Sequence, residues 1–199
     1  MKRRLMLLAC ALALLAPAAP AFAQSCETHP AQRYAEREVL KPRHTAELAK
    51  VRFAAQALLM TESADPAKRL RGVADAGDTY EVVMERANER VTFSFRDEKN
   101  RAGTLSFFMP ATIGIFEVDP RGEGGEHPTL YKEWRLASHA TGDGLFKAAT
   151  NRNSRVTLVL HGRGHGCTDA AQFTDWTLQV TGPRGKFSFY GKLEPAARQ

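Results

Sequence analysis

Seven residues in the last quarter of the chain, His161-Gly162-Arg163-Gly164-His165-Gly166-Cys167, alternate glycine with side chains that can ligate, donate or attack. Two imidazoles and a thiol are metal-ligand types. A guanidinium among exposed backbone N–H groups suits a carboxylate or phosphate. Spacing limits the first of these chemistries. In an extended strand the four non-glycine residues share one face, and His161 and His165 stand about 13 Å apart. Ligand bonds of about 2 Å cannot span that gap. Chelation by His161 and His165 therefore requires the glycines to fold the segment back, which glycine permits. Three alternating glycines also argue against a helix that would bring the pair together. The plainer expectation is a loop closing a buried strand over 155–161.

His165, Cys167 and Asp169 are also nucleophile, base and orienting types, but a triad is a geometry and not a neighbourhood. No Gly-x-Ser-x-Gly elbow or His-Glu-x-x-His pair occurs, so no catalytic residue is assigned. A second group, Glu123, Glu126 and His127, lies in the Gly- and Pro-rich stretch 119–128. Two carboxylates and an imidazole suit a cation or a contact loop. The candidate binding residues are thus His161, Arg163, His165, Glu123, Glu126 and His127, on expected loops 161–169 and 119–128, with 138–144 as a third. Apart from a metal ion on His161 and His165, no cofactor is implied.

The chain opens with Lys2, Arg3 and Arg4, an apolar run over 5–15, and Ala21-Phe22-Ala23. A positive start, an apolar run and a small-x-small site form a cleavable secretory signal over 1–23, with Gln24 as the first mature residue. The run is short for a ~30 Å hydrocarbon core and is followed by Pro17 and Pro20, so no stable membrane anchor is expected after cleavage. The expected location is the periplasm, or beyond it. The whole chain carries a net +6, but three cations belong to 1–23. The remaining 176 residues hold 25 Lys and Arg against 22 Asp and Glu, a net of only +3. Those cations are scattered among acids, which does not give the basic stripe that nucleic acid requires. Of three cysteines, Cys26 and Cys167 survive cleavage. In an oxidising compartment the two are expected to form one disulfide. It would tie the glycine-rich segment to the N-terminus.

The elements that position these residues are read from periodicity. Residues 31–40 are compatible with a helix that ends before Pro42. Leu48, Val51, Ala55, Leu58 and Leu59 fall on one helical face and predict a helix over 45–60. Asp65-Pro66 starts a short helix over 66–71. From residue 78 the period becomes two. Tyr80, Val82 and Met84, then Val91, Phe93 and Phe95, form a hairpin turning at Asn88-Glu89. Further strands follow around Leu105, over 112–118 (apolar on both faces, hence central), around Trp134, over 155–161, around Trp176 and at Phe187 to Phe189. The expected class is mainly β (α+β): an antiparallel β-sandwich or barrel of about eight or nine short strands with one or two N-terminal helices. Residues 24–76 form the helical segment and 77–199 the β domain, with 24–199 folding as one domain. These readings imply an exported, non-catalytic binding domain for a protein partner or envelope component. A metal-handling protein and an envelope hydrolase are the alternatives.

Overall fold

The computed structural model describes residues 33–61, 78–118, 130–164 and 170–195. Two-residue alternation governs nearly all of them. In chain order the elements are β1 (Arg33–Val39), α1 (Pro42–Lys50), β2 (Phe53–Thr61), β3 (Thr79–Ala87), β4 (Arg90–Asp97), β5 (Ala102–Phe108), β6 (Thr112–Val118), β7 (Leu130–His139), β8 (Thr141–Gly144), β9 (Arg155–Gly164), β10 (Phe173–Gly182) and β11 (Gly185–Leu193). A 3-10 turn, Ala170–Gln172, immediately precedes β10. Among the described residues no helix is long and apolar enough to cross a membrane.

All eleven strands join one antiparallel sheet in the order β1-β6-β7-β9-β10-β11-β2-β3-β4-β5-β8. The expected class holds: among the described residues the fold is mainly antiparallel β with one helix. The sheet is neither a two-sheet sandwich nor a closed barrel, since β1 and β8 remain as its two edges. It is nonetheless strongly curled. Trp176 on β10 and Phe93 on β4 are four strands apart, about 19 Å across a flat sheet. Their ring centroids lie 5.4 Å apart, and Phe95 on β4 stacks on Phe189 of β11 at 4.0 Å. The inner face has folded onto itself around a core of aromatic rings. Right-handed strand twist makes such curling the natural way for one large sheet to bury its greasy face.

The N-terminal expectations are corrected. Within the helix expected over 31–40, the described residues form instead the edge strand β1, whose exposed Glu36 and Arg37 suit a sheet edge. The helix expected over 45–60 is α1, which stops at Lys50. Phe53 to Thr61 is a strand with partners on both sides, β11 and β3. Ladder bonds and burial of Ala57 and Leu59 outweigh helical propensity. The alternation that signals this strand is plain in its other face, where Leu58 and Met60 are 38% and 52% exposed. The helix expected over 66–71 lies outside the described residues. The stretch 138–144 is not a loop either: β7 runs to His139 and β8 pairs with β5. The hairpin β3–β4 is as expected, with Asn88 at φ 55° in its turn, and β6 is flanked by β1 and β7.

Helix α1 closes one end of the curl. His44 is fully buried and stands edge-on to Trp134 at 5.5 Å. Burial, with the neighbouring Arg43 charge, holds the His44 imidazole below its ordinary value against the pull of Glu38. Neutral, its Nδ1 accepts the Lys41 N–H at 3.1 Å. Glu47 reaches from α1 to accept the Ala170 N–H at 3.0 Å, fixing the helix to the 3-10 turn.

Candidate functional site

The glycine-rich segment is a strand for its first four residues. β9 continues through His161, Gly162, Arg163 and Gly164, paired to β7 throughout. Gly162 and Gly164 face inward, because the 3-10 turn crosses directly above them. A Cβ on Gly162 would overlap the carbonyl oxygen of Gln172 and come within 2.8 Å of the Phe173 Cα. A Cβ on Gly164 would overlap the Gln172 side chain. Close backbone approach is what requires glycine here. Lys132, 1% exposed, stands opposite Gly162 on β7, and its Nζ donates to Gln172 Oε1 at 3.2 Å. Glu117 on β6, 3% exposed, stands opposite Lys132 on the same inward face.

His161 and Arg163 therefore point outward, as the extended geometry requires. Register sets their neighbours. Across the outer face one row runs Phe116 (β6), Glu133 (β7), His161 (β9), Asp175 (β10), Lys192 (β11). Arg163 stands opposite Tyr131, and Tyr190 lies in the row beyond Asp175, next to Leu58 of β2. Asp175 reaches this face through a β-bulge. The β10 register shifts between Phe173 and Asp175, so Phe173 faces inward opposite Gly162 while Asp175 faces outward opposite His161. Re-aiming a side chain is a common effect of a bulge.

Two matching clusters flank the imidazole. On one side Tyr131 Oη donates to Glu133 Oε1 at 2.6 Å, and Arg135 Nε donates to Glu133 Oε2 at 2.6 Å. On the other side the Tyr190 hydroxyl and the Lys192 ammonium both donate to Asp175, and Thr174 Oγ1 adds a third bond at 2.6 Å. The His161 ring sits between the two tyrosines, 6.3 Å from Tyr131 and 6.2 Å from Tyr190. Arg135 also lies over the Phe116 ring at 5.5 Å. Arg163 is exposed, and no hydrogen bond or ion pair with another described residue engages it.

Electrostatics act on Asp175 and Tyr131 in opposite ways. Burial alone would raise the Asp175 carboxyl, but the hydrogen bonds from Lys192, Thr174 and Tyr190 outweigh it and hold the group at about 2. Burial and Glu133 together push the Tyr131 phenol well above its ordinary value, so it remains a donor. A carboxyl depressed in the folded state stabilises the fold fully above its unfolded value, 3.8, and loses that contribution as pH falls through its folded value. Asp175→Asn is accordingly expected to lower the thermal midpoint near neutral pH. The gap to wild type should narrow as pH falls from about 4 to about 2. Other depressed carboxyls, Glu38, Glu47 and Asp97, act equally in both proteins and cancel from the comparison. A gap that stays constant over that range would show that Asp175 is not held by these bonds.

Of the sequence candidates, the structure brings together His161 and Arg163, on a strand face and not in a loop. His165, Glu123, Glu126, His127, Cys26 and Cys167 lie outside the described residues. Among the described residues no group of three or more His, Cys, Asp or Glu is arranged to hold a metal ion. Sequence reasoning missed Tyr131, Glu133, Arg135, Asp175, Tyr190 and Lys192. Each alternates with a buried neighbour such as Trp134, Trp176 or Phe189. That wet-face alternation was the available signal, but only register shows that these residues converge on His161. No protein-family model matches the chain, and neither a curated protein nor a solved structure does.

Proposed function

We propose that the chain is an exported, non-catalytic binding domain that holds a protein partner or cell-envelope component on the outer face of β7, β9, β10 and β11. The observation that carries this reading is the seat of His161 between two tyrosines whose hydroxyls are fastened to carboxylates. Tyrosine contributes large contact area with few torsions to immobilise, and fastening the hydroxyl removes much of what remains. Residues on strands also hold a binding geometry more tightly than residues on loops. The proposal puts the binding surface on the sheet face, with any contribution of residues 119–128 and 165–169 secondary.

The two carboxylates of this face are engaged in ways that suit binding better than proton transfer. A general base works best with a pKa near the working pH, and Asp175 at about 2 is far below it. Glu133 is already engaged by a phenol and a guanidinium. The export signal over 1–23 and a Cys26–Cys167 disulfide belong to the same proposal.

The test uses wild type and a Tyr131→Ala, His161→Ala, Tyr190→Ala triple variant as baits against envelope extract. Wild type is expected to retain a component that the folded triple variant does not. Tyr190→Ala alone should weaken that interaction by about 2 kcal/mol, roughly thirtyfold in affinity. Identical retention by both baits would sink the proposal.

A further inference from the structure

We infer that the ligand of this face is an anionic, hydroxyl-rich glycan, with a carboxylate of the sugar chain on Arg163 and sugar rings against Tyr131, His161 and Tyr190. The inference rests on the binding reading above and goes on to name its ligand class.

Glu133 is matched by Arg135, and Asp175 by Lys192. Among the described residues Arg163 is the cation beside the tyrosines that no carboxylate matches, exposed on the same face directly opposite Tyr131; Arg155, the other unmatched cation of β9, stands eight residues away. Its planar fork matches a carboxylate with two parallel bonds. The ligand should therefore carry negative charge. Hydrogen-bonding capacity comes next. A carboxylate offers about four lone-pair sites. Glu133 and Asp175 use most of theirs on local donors, and the 13% and 14% of each side chain that stays exposed is where a further donor can reach. Hydroxyl groups can donate to them. A polyacid without hydroxyls would instead meet two carboxylates as like charges. That contrast favours an anionic sugar chain over an acidic peptide.

Position in the sheet points the same way. β9 is the fourth strand from the β1 edge and is paired on both sides, so a peptide cannot join there as an added strand. Side chains must do all the reading. Three rings in succession, at spacings of 6.3 and 6.2 Å, form an aromatic row on which the apolar C–H faces of sugar rings can lie.

The test measures binding of the purified protein to polygalacturonate, with dextran as the uncharged glycan and poly-glutamate as the acidic peptide. Polygalacturonate is expected to bind and dextran not to. Arg163→Gln should weaken binding by about tenfold or more. Arg155→Gln, an exposed cation at the far end of the same strand, should leave it unchanged. Poly-glutamate binding as tightly as polygalacturonate would overturn the inference in favour of a peptide. Equal losses from Arg163→Gln and Arg155→Gln would overturn it in favour of diffuse charge attraction. Absence of polygalacturonate binding while the Tyr131, His161 and Tyr190 side chains still govern capture from envelope extract would remove the glycan alone. Loss of both results would remove the binding face with it.

Discussion

Trp176→Ala is expected to lower the unfolding free energy by about 3–5 kcal/mol, the usual range for deleting a large buried aromatic ring. Trp176 is fully buried. Its ring meets Phe53 of β2 and Phe93 of β4, each at 5.4 Å, and its Nε1 donates to the Lys192 carbonyl at 3.2 Å. Gly191, directly opposite on β11, makes room for it: a Cβ there would come within 2.5 Å of the indole nitrogen. The ring thus spans the seam where the curled sheet meets itself, and alanine would leave a cavity between strands that are not neighbours in the sheet. Chemical denaturation reads the effect as a shift in midpoint at similar slope. A loss under about 1 kcal/mol would mean that the seam closes around the gap, contrary to close packing.

Gly162→Ala is expected to destabilise by about 3 kcal/mol, the upper end for overpacking, and far more than Gly164→Ala. The two glycines are two residues apart on one strand and face the same segment. The difference lies in what a methyl group meets. At Gly162 it meets the Gln172 carbonyl and the Phe173 Cα, which are backbone. At Gly164 it meets the end of the Gln172 side chain, which can rotate away. That rotation still breaks the bond from buried Lys132, so Gly164→Ala should cost something, with hydrogen exchange at residues 170–173 rising. Equal midpoints for both variants would refute the close-approach account of the alternating glycines.

The β region was legible because one face of each strand is greasy and the other wet. Tyr80-Val82-Met84 and Val91-Phe93-Phe95 needed nothing beyond alternation and an asparagine that tolerates positive φ. The segment 45–61 was not, because Leu48, Val51, Ala55, Leu58 and Leu59 fit a helical face, while the competing two-residue period of Phe53, Ala57 and Leu59 is interrupted by small alanines. β1 was hidden by its charge: Glu36, Arg37 and Glu38 read as a solvated helix until an edge position explains them. The site was half legible. Extended geometry correctly put His161 and Arg163 on one face. The bulge at Phe173 to Asp175 shifts the phase of β10 by one residue, and the sequence marks it only by the three-residue step from Phe173 to Trp176. Without that shift Asp175 would have been placed inside with Phe173.

Alternation within His161-Gly162-Arg163-Gly164 separates two kinds of selection. Even positions carry the fold, since their missing side chains let a backbone segment cross. Odd positions carry the outer surface, where His161 meets the tyrosine rings and Arg163 meets solvent. Random substitution at 161 and 163 should therefore yield stable proteins with altered preferences, while libraries at 162 should return mostly glycine and those at 164 a wider set of small residues. The same pairing resists slippage: moving β9 by two residues would bring the Leu160 side chain to the place now occupied by Gly162, under the Gln172 carbonyl. A lineage could thus exchange one ligand for another on this strand without passing through an unfolded intermediate sequence.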